Sequence, residues 1–263
     1  PGLRCIDLSL GIAWKSLMVG CSSAEKYGLS HRYNAPPFHD SALKMSILNR
    51  LTFVLAVSVA TTASFAQDIK GDAKAGETKN AMCVGCHGIQ GYQSSFPEVY
   101  KVPRIAGQSE SFIAAALKAY RAGERKHPTM RAVAGSLTDQ DIADLSVYYE
   151  QLGGEPAKIA DKAPDAPADV AALLTKGACA SCHGANFNKP IAPGYPKIAG
   201  QYSDYLYVAL KSYKAEGNAT WGRNNAVMGG IAKQFTLAEL KTLAKYMASQ
   251  PGDVKTVAQN KFR

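Results

Sequence analysis

Two short stretches hold the residues with the clearest chemistry: Cys83-Val84-Gly85-Cys86-His87 and, 96 residues further on, Cys179-Ala180-Ser181-Cys182-His183. Cys-x-x-Cys-His is the attachment pattern for c-type haem. Two thiols one helical turn apart can each form a thioether to one edge of a porphyrin, and the next residue turns its imidazole under the iron as proximal ligand. A structural zinc would need four well-disposed ligands per site, and each motif offers two Cys and one adjacent His. A thioredoxin-like redox pair expects a βαβ setting, which the helical periodicity here does not provide. Of the six cysteines, Cys5 and Cys21 fall in the leader and the other four are consumed by the motifs, so no thiol is left over.

The ligand on the other face of each iron separates an electron carrier from a reactive centre. His31 and His39 lie in the leader, and His87 and His183 are already proximal, which leaves His127. It is expected to be a solvated loop residue, with iron ligation the alternative for one haem at most. Met82 adjoins an attachment cysteine, and Met247 sits on the apolar stripe of the last helix. Met130 and Met228 remain, 43 and 45 residues beyond their histidines and each seven residues before an apolar-Thr pair. A lone methionine is ordinarily a core residue, but both copies of the repeat keep one in what reads as a polar loop. Each iron is therefore expected to be held by His and Met: His87 with Met130, His183 with Met228. That pairing raises the haem potential relative to His/His and leaves no open iron position, which favours electron transfer over oxygen or peroxide chemistry.

The elements that must position these groups repeat as well. A helix from Asp72 to Met82, and another from Asp169 to Ala178, leads into each motif. A loop rich in Gly, Pro, Asn and Ser follows and ends in a shared hexapeptide, Pro103-Arg104-Ile105-Ala106-Gly107-Gln108 and Pro196-Lys197-Ile198-Ala199-Gly200-Gln201. Helices are expected over Ser109–Ala122 and Ser203–Ala215, with Gly123 and Gly217 as C-terminal caps. Thr138 with Asp141, and Thr236 with Glu239, read as capping boxes. They open helices whose apolar stripes are Ile142, Leu145, Tyr149 and Leu152 in one copy and Leu240, Leu243 and Met247 in the other. Pro156, Pro164 and Pro167 mark an extended linker. The fold class expected is all-α: two tandem haem domains over 67–155 and 169–263, joined by 156–168, each stabilised by one covalently bound haem as a large apolar body.

The chain opens at Pro1, and residues 1–44 are read as upstream sequence joined ahead of a signal peptide over 45–66. Met18-Val19-Gly20-Cys21 makes a poor lipobox because Lys15 interrupts its apolar run. Arg50, the apolar run Leu51 to Ala60 and the small residues of Ser64-Phe65-Ala66 form an export signal cleaved after about Ala66, which places the protein in the periplasm. Residues 67–263 then carry 24 basic and 18 acidic side chains, an excess that four haem propionates would largely offset. No basic stripe suggests a nucleic-acid partner.

Over residues 70–255 the chain resembles the dihaem cytochromes c4. The resemblance rests on the paired Cys-x-x-Cys-His motifs, the doubled Pro-x-Ile-Ala-Gly-Gln and the Met130 and Met228 segments. It implies two cytochrome-c-like domains about a pseudo-twofold axis, with neighbouring haem edges exchanging electrons. The carbonyls of Pro103 and Pro196 would accept the Nδ1–H of His87 and His183. It also implies a periplasmic protein, soluble or loosely membrane-associated, that takes electrons from a quinol-oxidising complex or another donor and passes them toward a terminal oxidase. The residues leave open a cytochrome subunit of a larger flavoprotein sulfide or alcohol dehydrogenase, and less readily a dihaem peroxidase or thiosulfate-oxidising enzyme. The loop from Gly91 to Val102 is longer than its counterpart. It reads as an inert insertion or as a partner-docking loop presenting Tyr92, Phe96 and Tyr100.

Overall fold

The computed structural model describes residues 69–215 and 217–259. The upstream segment 1–44, the signal peptide 45–66 and Gln67 as first exported residue lie outside the described residues. The described residues form one compact unit.

In the first half, the Asp72 carboxylate accepts the Lys74 N–H and starts helix α1, Ala73–Lys79. Asn80 interrupts the expected continuous lead-in, and α2, Ala81–His87, carries the first motif. Two-residue strands β1 (Gln93–Ser94) and β2 (Tyr100–Lys101) pair antiparallel, Gln93 opposite Lys101. Helix α3, Glu110–Ala122, starts at the Ser109 side chain and ends at Gly123 in the left-handed region (φ 79°), as expected of a C-terminal glycine. Strand β3 (Arg125–Lys126), α4 (Pro128–Gly135) and α5 (Asp139–Leu152) complete this half. The second half repeats the order: α6 (Ala168–Lys176), α7 (Ala180–His183), α8 (Ser203–Ser212), strand β4 (Gly222–Arg223), α9 (Ala226–Lys233) and α10 (Leu237–Ser249).

Both capping boxes are formed, with Thr138 and Asp141, and Thr236 and Glu239, bonding reciprocally. The stripes of α5 and α10 bury Ile142, Leu145 and Tyr149, and Leu240, Leu243 and Met247. Two expected ends move. Helix α6 stops at Lys176, because Ala178 takes a left-handed φ of 47° before the second motif. Helix α8 stops at Ser212, so Gly217 is not its cap. Tyr213 leaves the helix with its ring 5.5 Å from the Arg223 guanidinium.

Helix α1 lies directly on α5. A Cβ at Gly76 would sit 2.2 Å from the Asp144 carbonyl oxygen, so this crossing requires glycine. At the same crossing the buried Asp144 carboxylate accepts from the Asp72 N–H (2.8 Å), Lys79 Nζ (2.6 Å) and Gln140 Nε2 (2.7 Å). Residues 156–167 carry no helix or strand and are bonded along the second half. Ala163 N–H donates to the Ala185 carbonyl (3.0 Å), Asn186 Nδ2 to the Ala160 carbonyl (2.9 Å) and the Tyr246 hydroxyl to the Pro164 carbonyl (2.9 Å).

Several segments join the halves. Strand β3 pairs antiparallel with β4, Arg125 opposite Arg223. The chain after α10 crosses back to the first half, where Lys255 and Ala106 exchange both backbone hydrogen bonds (2.8 and 3.2 Å) and Gln259 Oε1 accepts from Asn80 Nδ2 (2.6 Å) and the Tyr148 hydroxyl (2.9 Å). Nothing in the composition of 253–259 signals this return.

Candidate haem sites

In each half the motif histidine closes a short helix and its Nδ1 lies on a proline carbonyl: His87 on Pro103 at 2.9 Å, His183 on Pro196 at 3.0 Å. A carbonyl only accepts, so the proton is on Nδ1 and Nε2 keeps its lone pair, the tautomer an iron ligand needs. Burial lowers the pKa of both rings, partly opposed by the proline carbonyls, and keeps the imidazoles neutral. Cys83, Cys86, Cys179 and Cys182 are all unpaired thiols. Cys83 packs beside Leu145 and Tyr149, and burial pushes its thiol up to about 11. Cys179 lies against the cluster built on Phe187, Ala199 and Met247, and its pKa is also raised by burial.

Met130 and Met228 are not in loops. Each is the third residue of a short helix, α4 or α9. The reason is a side-chain cap three residues earlier: His127 Nδ1 accepts the Met130 N–H (3.3 Å), and Asn225 Oδ1 accepts the Met228 N–H (2.9 Å). The expectation of a solvated His127 is therefore corrected. Its Nδ1 is engaged in the cap, its Nε2 is buried without a hydrogen-bond partner, and the Phe96 ring meets it edge-on at 6.0 Å. Burial lowers its pKa, the Phe96 carbonyl opposes this, and the Arg223 charge adds to the lowering.

The inserted loop also departs from expectation. Tyr92 and Phe96 remain exposed, but Tyr100 is buried and packs on Tyr205 of α8 at 6.3 Å. Lys101 Nζ meets Asp204 (3.2 Å) and Glu98 meets Lys211 Nζ (2.7 Å), so the loop is anchored on the second half.

Sequence reasoning missed two pairs of residues at the seam. Arg125 lies over the rings of Phe112 and Tyr120 (5.1 and 5.7 Å), and Arg223 over those of Tyr205 and Tyr213 (5.6 and 5.5 Å). Neither meets a carboxylate among the described residues, so both suit an anionic group such as a porphyrin carboxylate. The signal was present as Arg five residues before each Met, in Arg125-Lys126-His127 and Arg223-Asn224-Asn225. The second pair is Gln108 and Gln201, which end the doubled hexapeptide and whose side chains cross the seam. Gln108 Nε2 donates to the Lys197 carbonyl (2.9 Å) and its Oε1 accepts the Lys197 N–H (2.9 Å). Gln201 does the same with Arg104 (2.8 and 3.0 Å).

The donor set fits haem c. Each half has two unpaired thiols one turn apart and a neutral imidazole fixed through Nδ1, with a thioether carried on a separate capped helix. Among the described residues no three His, Cys, Asp or Glu side chains converge as an ion cage. Fold and sites together define a class: a helical protein with two haem-binding halves.

Comparison with known proteins gives the family. The cytochrome c family model matches residues 73–153 and again 167–251. Cytochrome c4 of Stutzerimonas stutzeri is 30% identical over 194 residues, covering 67% of this chain and 88% of that protein. The thiosulfate dehydrogenase electron acceptor of Thiomonas intermedia is 29% identical, covering 65% and 79%. The crystal structure of reduced recombinant cytochrome c4 from Pseudomonas stutzeri superposes with a TM-score of 0.50 at 26% identity, covering 69% of this chain and all of that one. The chain belongs to the cytochrome c family, in the dihaem cytochrome c4 group. It is an electron-transfer protein with two covalently bound haem c groups.

Proposed function

We propose that Cys83 and Cys86 attach one haem, with His87 and Met130 as its iron ligands, and that Cys179, Cys182, His183 and Met228 do the same for the second. The domains are assigned as 67–155 and 169–263 with 156–168 between them. The observation that carries this reading is the coincidence in both halves of an Nδ1-anchored histidine and a methionine on a side-chain-capped helix. A bound haem supplies a one-electron couple. The chain's part would be to supply two ligands to each iron, His87 with Met130 and His183 with Met228, which would let a one-electron couple run without ligand exchange. The protein is accordingly a carrier and not a catalyst. Its encounters with redox partners are expected to be small and transient.

The cellular reading follows from the export signal together with the family. The chain shuttles single electrons in the periplasm, from a quinol-oxidising complex or another donor toward a terminal oxidase. Among the described residues no helix is long and apolar enough to cross a membrane. A second reading is favoured by one specific observation, the similarity to the electron acceptor of a thiosulfate dehydrogenase. On that reading the chain is the electron-accepting cytochrome of a larger dehydrogenase, and co-purification with a catalytic subunit separates the two.

Electronic spectra of the oxidised protein test the ligands. A sulfur-to-iron charge-transfer band is expected in the wild type, reduced by about half in Met130→Ala and in Met228→Ala. A wild type without the band, or variants that keep it whole, would remove the His/Met assignment. Carbon monoxide binding by the reduced wild type would argue for an open site and for enzymatic chemistry.

A further inference from the structure

We propose that Gln108 and Gln201 are positioning residues for the opposite half's haem, each acting through one peptide group on that half's proximal histidine. The proposal rests on His87 and His183 being iron ligands. Its content is a crossed pairing: Gln201 tunes the haem on His87, and Gln108 tunes the haem on His183.

One peptide plane carries each link. The carbonyl of the Pro103–Arg104 peptide accepts His87 Nδ1–H at 2.9 Å, while the N–H of the same peptide donates to Gln201 Oε1 at 3.0 Å. In the other half the Pro196–Lys197 carbonyl accepts His183 Nδ1–H at 3.0 Å, and its N–H donates to Gln108 Oε1 at 2.9 Å. The second arm of each glutamine holds the carbonyl one residue on, so the amide is clamped at both ends of Arg104 or Lys197. Both glutamines are buried, 4% exposed, so water does not compete for these bonds.

Hydrogen bonds in series polarise one another, and more strongly where the surroundings are dry. An amide whose N–H is engaged places more electron density on its oxygen, which then accepts more strongly from the imidazole. A stronger bond at Nδ1 pushes density toward Nε2 and stabilises the more highly charged iron. Each half therefore sets part of the potential of the other. The hexapeptide backbone makes this reach possible: Gly107 and Gly200 have φ of 84° and 70°, and they turn the chain so that the next side chain leaves its own half.

The holoprotein tests this with Gln201→Leu and Gln108→Leu. In the reduced, diamagnetic state the His87 and His183 Nδ1–H signals are observed separately by NMR. Following each through a redox titration assigns each potential to its own histidine. Gln201→Leu is expected to weaken the His87 Nδ1–H bond and favour reduction of that haem by about threefold, which is ~28 mV at 59 mV per decade. The His183 signal and potential stay within error, and Gln108→Leu does the reverse. Gln201→Met and Gln108→Met, longer and unbranched, serve if leucine disturbs the seam. A shift at the variant's own half, an equal shift at both, or stability loss with neither histidine signal nor potential moved would overturn the coupling. A wild type whose His87 and His183 lack the large ring-current shifts of axial ligands would instead overturn the ligand assignment.

Discussion

Asn225 does for the Met228 backbone what His127 does for that of Met130: a side-chain atom accepts the N–H three residues on and starts the helix that carries the methionine. A ring nitrogen and an amide oxygen are interchangeable there, which is why a repeat that conserves shape need not conserve a histidine. His127→Asn should therefore leave thermal stability and the charge-transfer band unchanged, whereas His127→Ala should cost about 1 kcal/mol by losing the cap. Loss of an axial-ligand signature in His127→Asn would show that the ring, and not Met130, meets the iron. At this scale the sequence was legible wherever a residue type is scarce. Counting Cys, His and Met leaves few choices for the ligands. It was illegible for abundant residues, since nothing in the composition separates Gln108 and Gln201 from any surface amide; only the position of both at the end of a doubled hexapeptide could have drawn attention to them.

Helix α5 illustrates how far periodicity reaches. Its stripe of Ile142, Leu145 and Tyr149 was readable because apolar residues recur with the helical period. Asp144 lies between them in a run that reads as a solvated face, yet it is buried and ties α1 to α5. Its environment depends on Gly76, 68 residues earlier, allowing the two backbones to touch, and no local pattern encodes such a contact. Burial opposes ionisation of Asp144, but Lys79, the Asp72 N–H and Gln140 outweigh it and hold the carboxyl below the usual range. The native pKa being the lower one, this stabilisation is complete above the unfolded value near 3.9 and is lost as pH falls through the native value. Urea unfolding followed at a series of pH values should thus show stability declining below about pH 4. Asp144→Asn should lose about 2 kcal/mol at neutral pH and have a flatter acid limb. An unchanged acid limb would mean that Asp144 is not among the groups that drive acid unfolding.

Across the whole molecule, the tandem repeat was legible and the join between its copies was not. Each motif, hexapeptide and capped helix announces itself twice. The seam combines what the copies share, the facing strands β3 and β4 and the paired glutamines of the hexapeptide, with what they do not: an insertion that buries Tyr100 on Tyr205 and a tail with no repeat partner. That tail supplies the paired Lys255–Ala106 backbone bonds, a Lys255 Nζ bond to the Gly153 carbonyl (2.9 Å) and the Gln259 contacts. A chain ending at Val254 should lose about 3 kcal/mol, and hydrogen exchange should rise at Ala106 and along α1 and α2 while α10 is spared. Uniform protection equal to the full chain would show that the tail contributes nothing to the first half.

The tail also has a consequence in time. It brackets α2, with Gln259 bonded to Asn80 at one end and the Val257 carbonyl close to Gly88 at the other. Synthesis runs from the N-terminus, so the helix bearing Cys83 and Cys86 is made early and receives Val257 and Gln259 as neighbours only after both halves have emerged. Until then its outer edge stays uncovered, an interval in which the first thiols sit on a helix that lacks these neighbours. The order of manufacture thus becomes an order of covering, in which the motif helix of the opening copy waits for the tail.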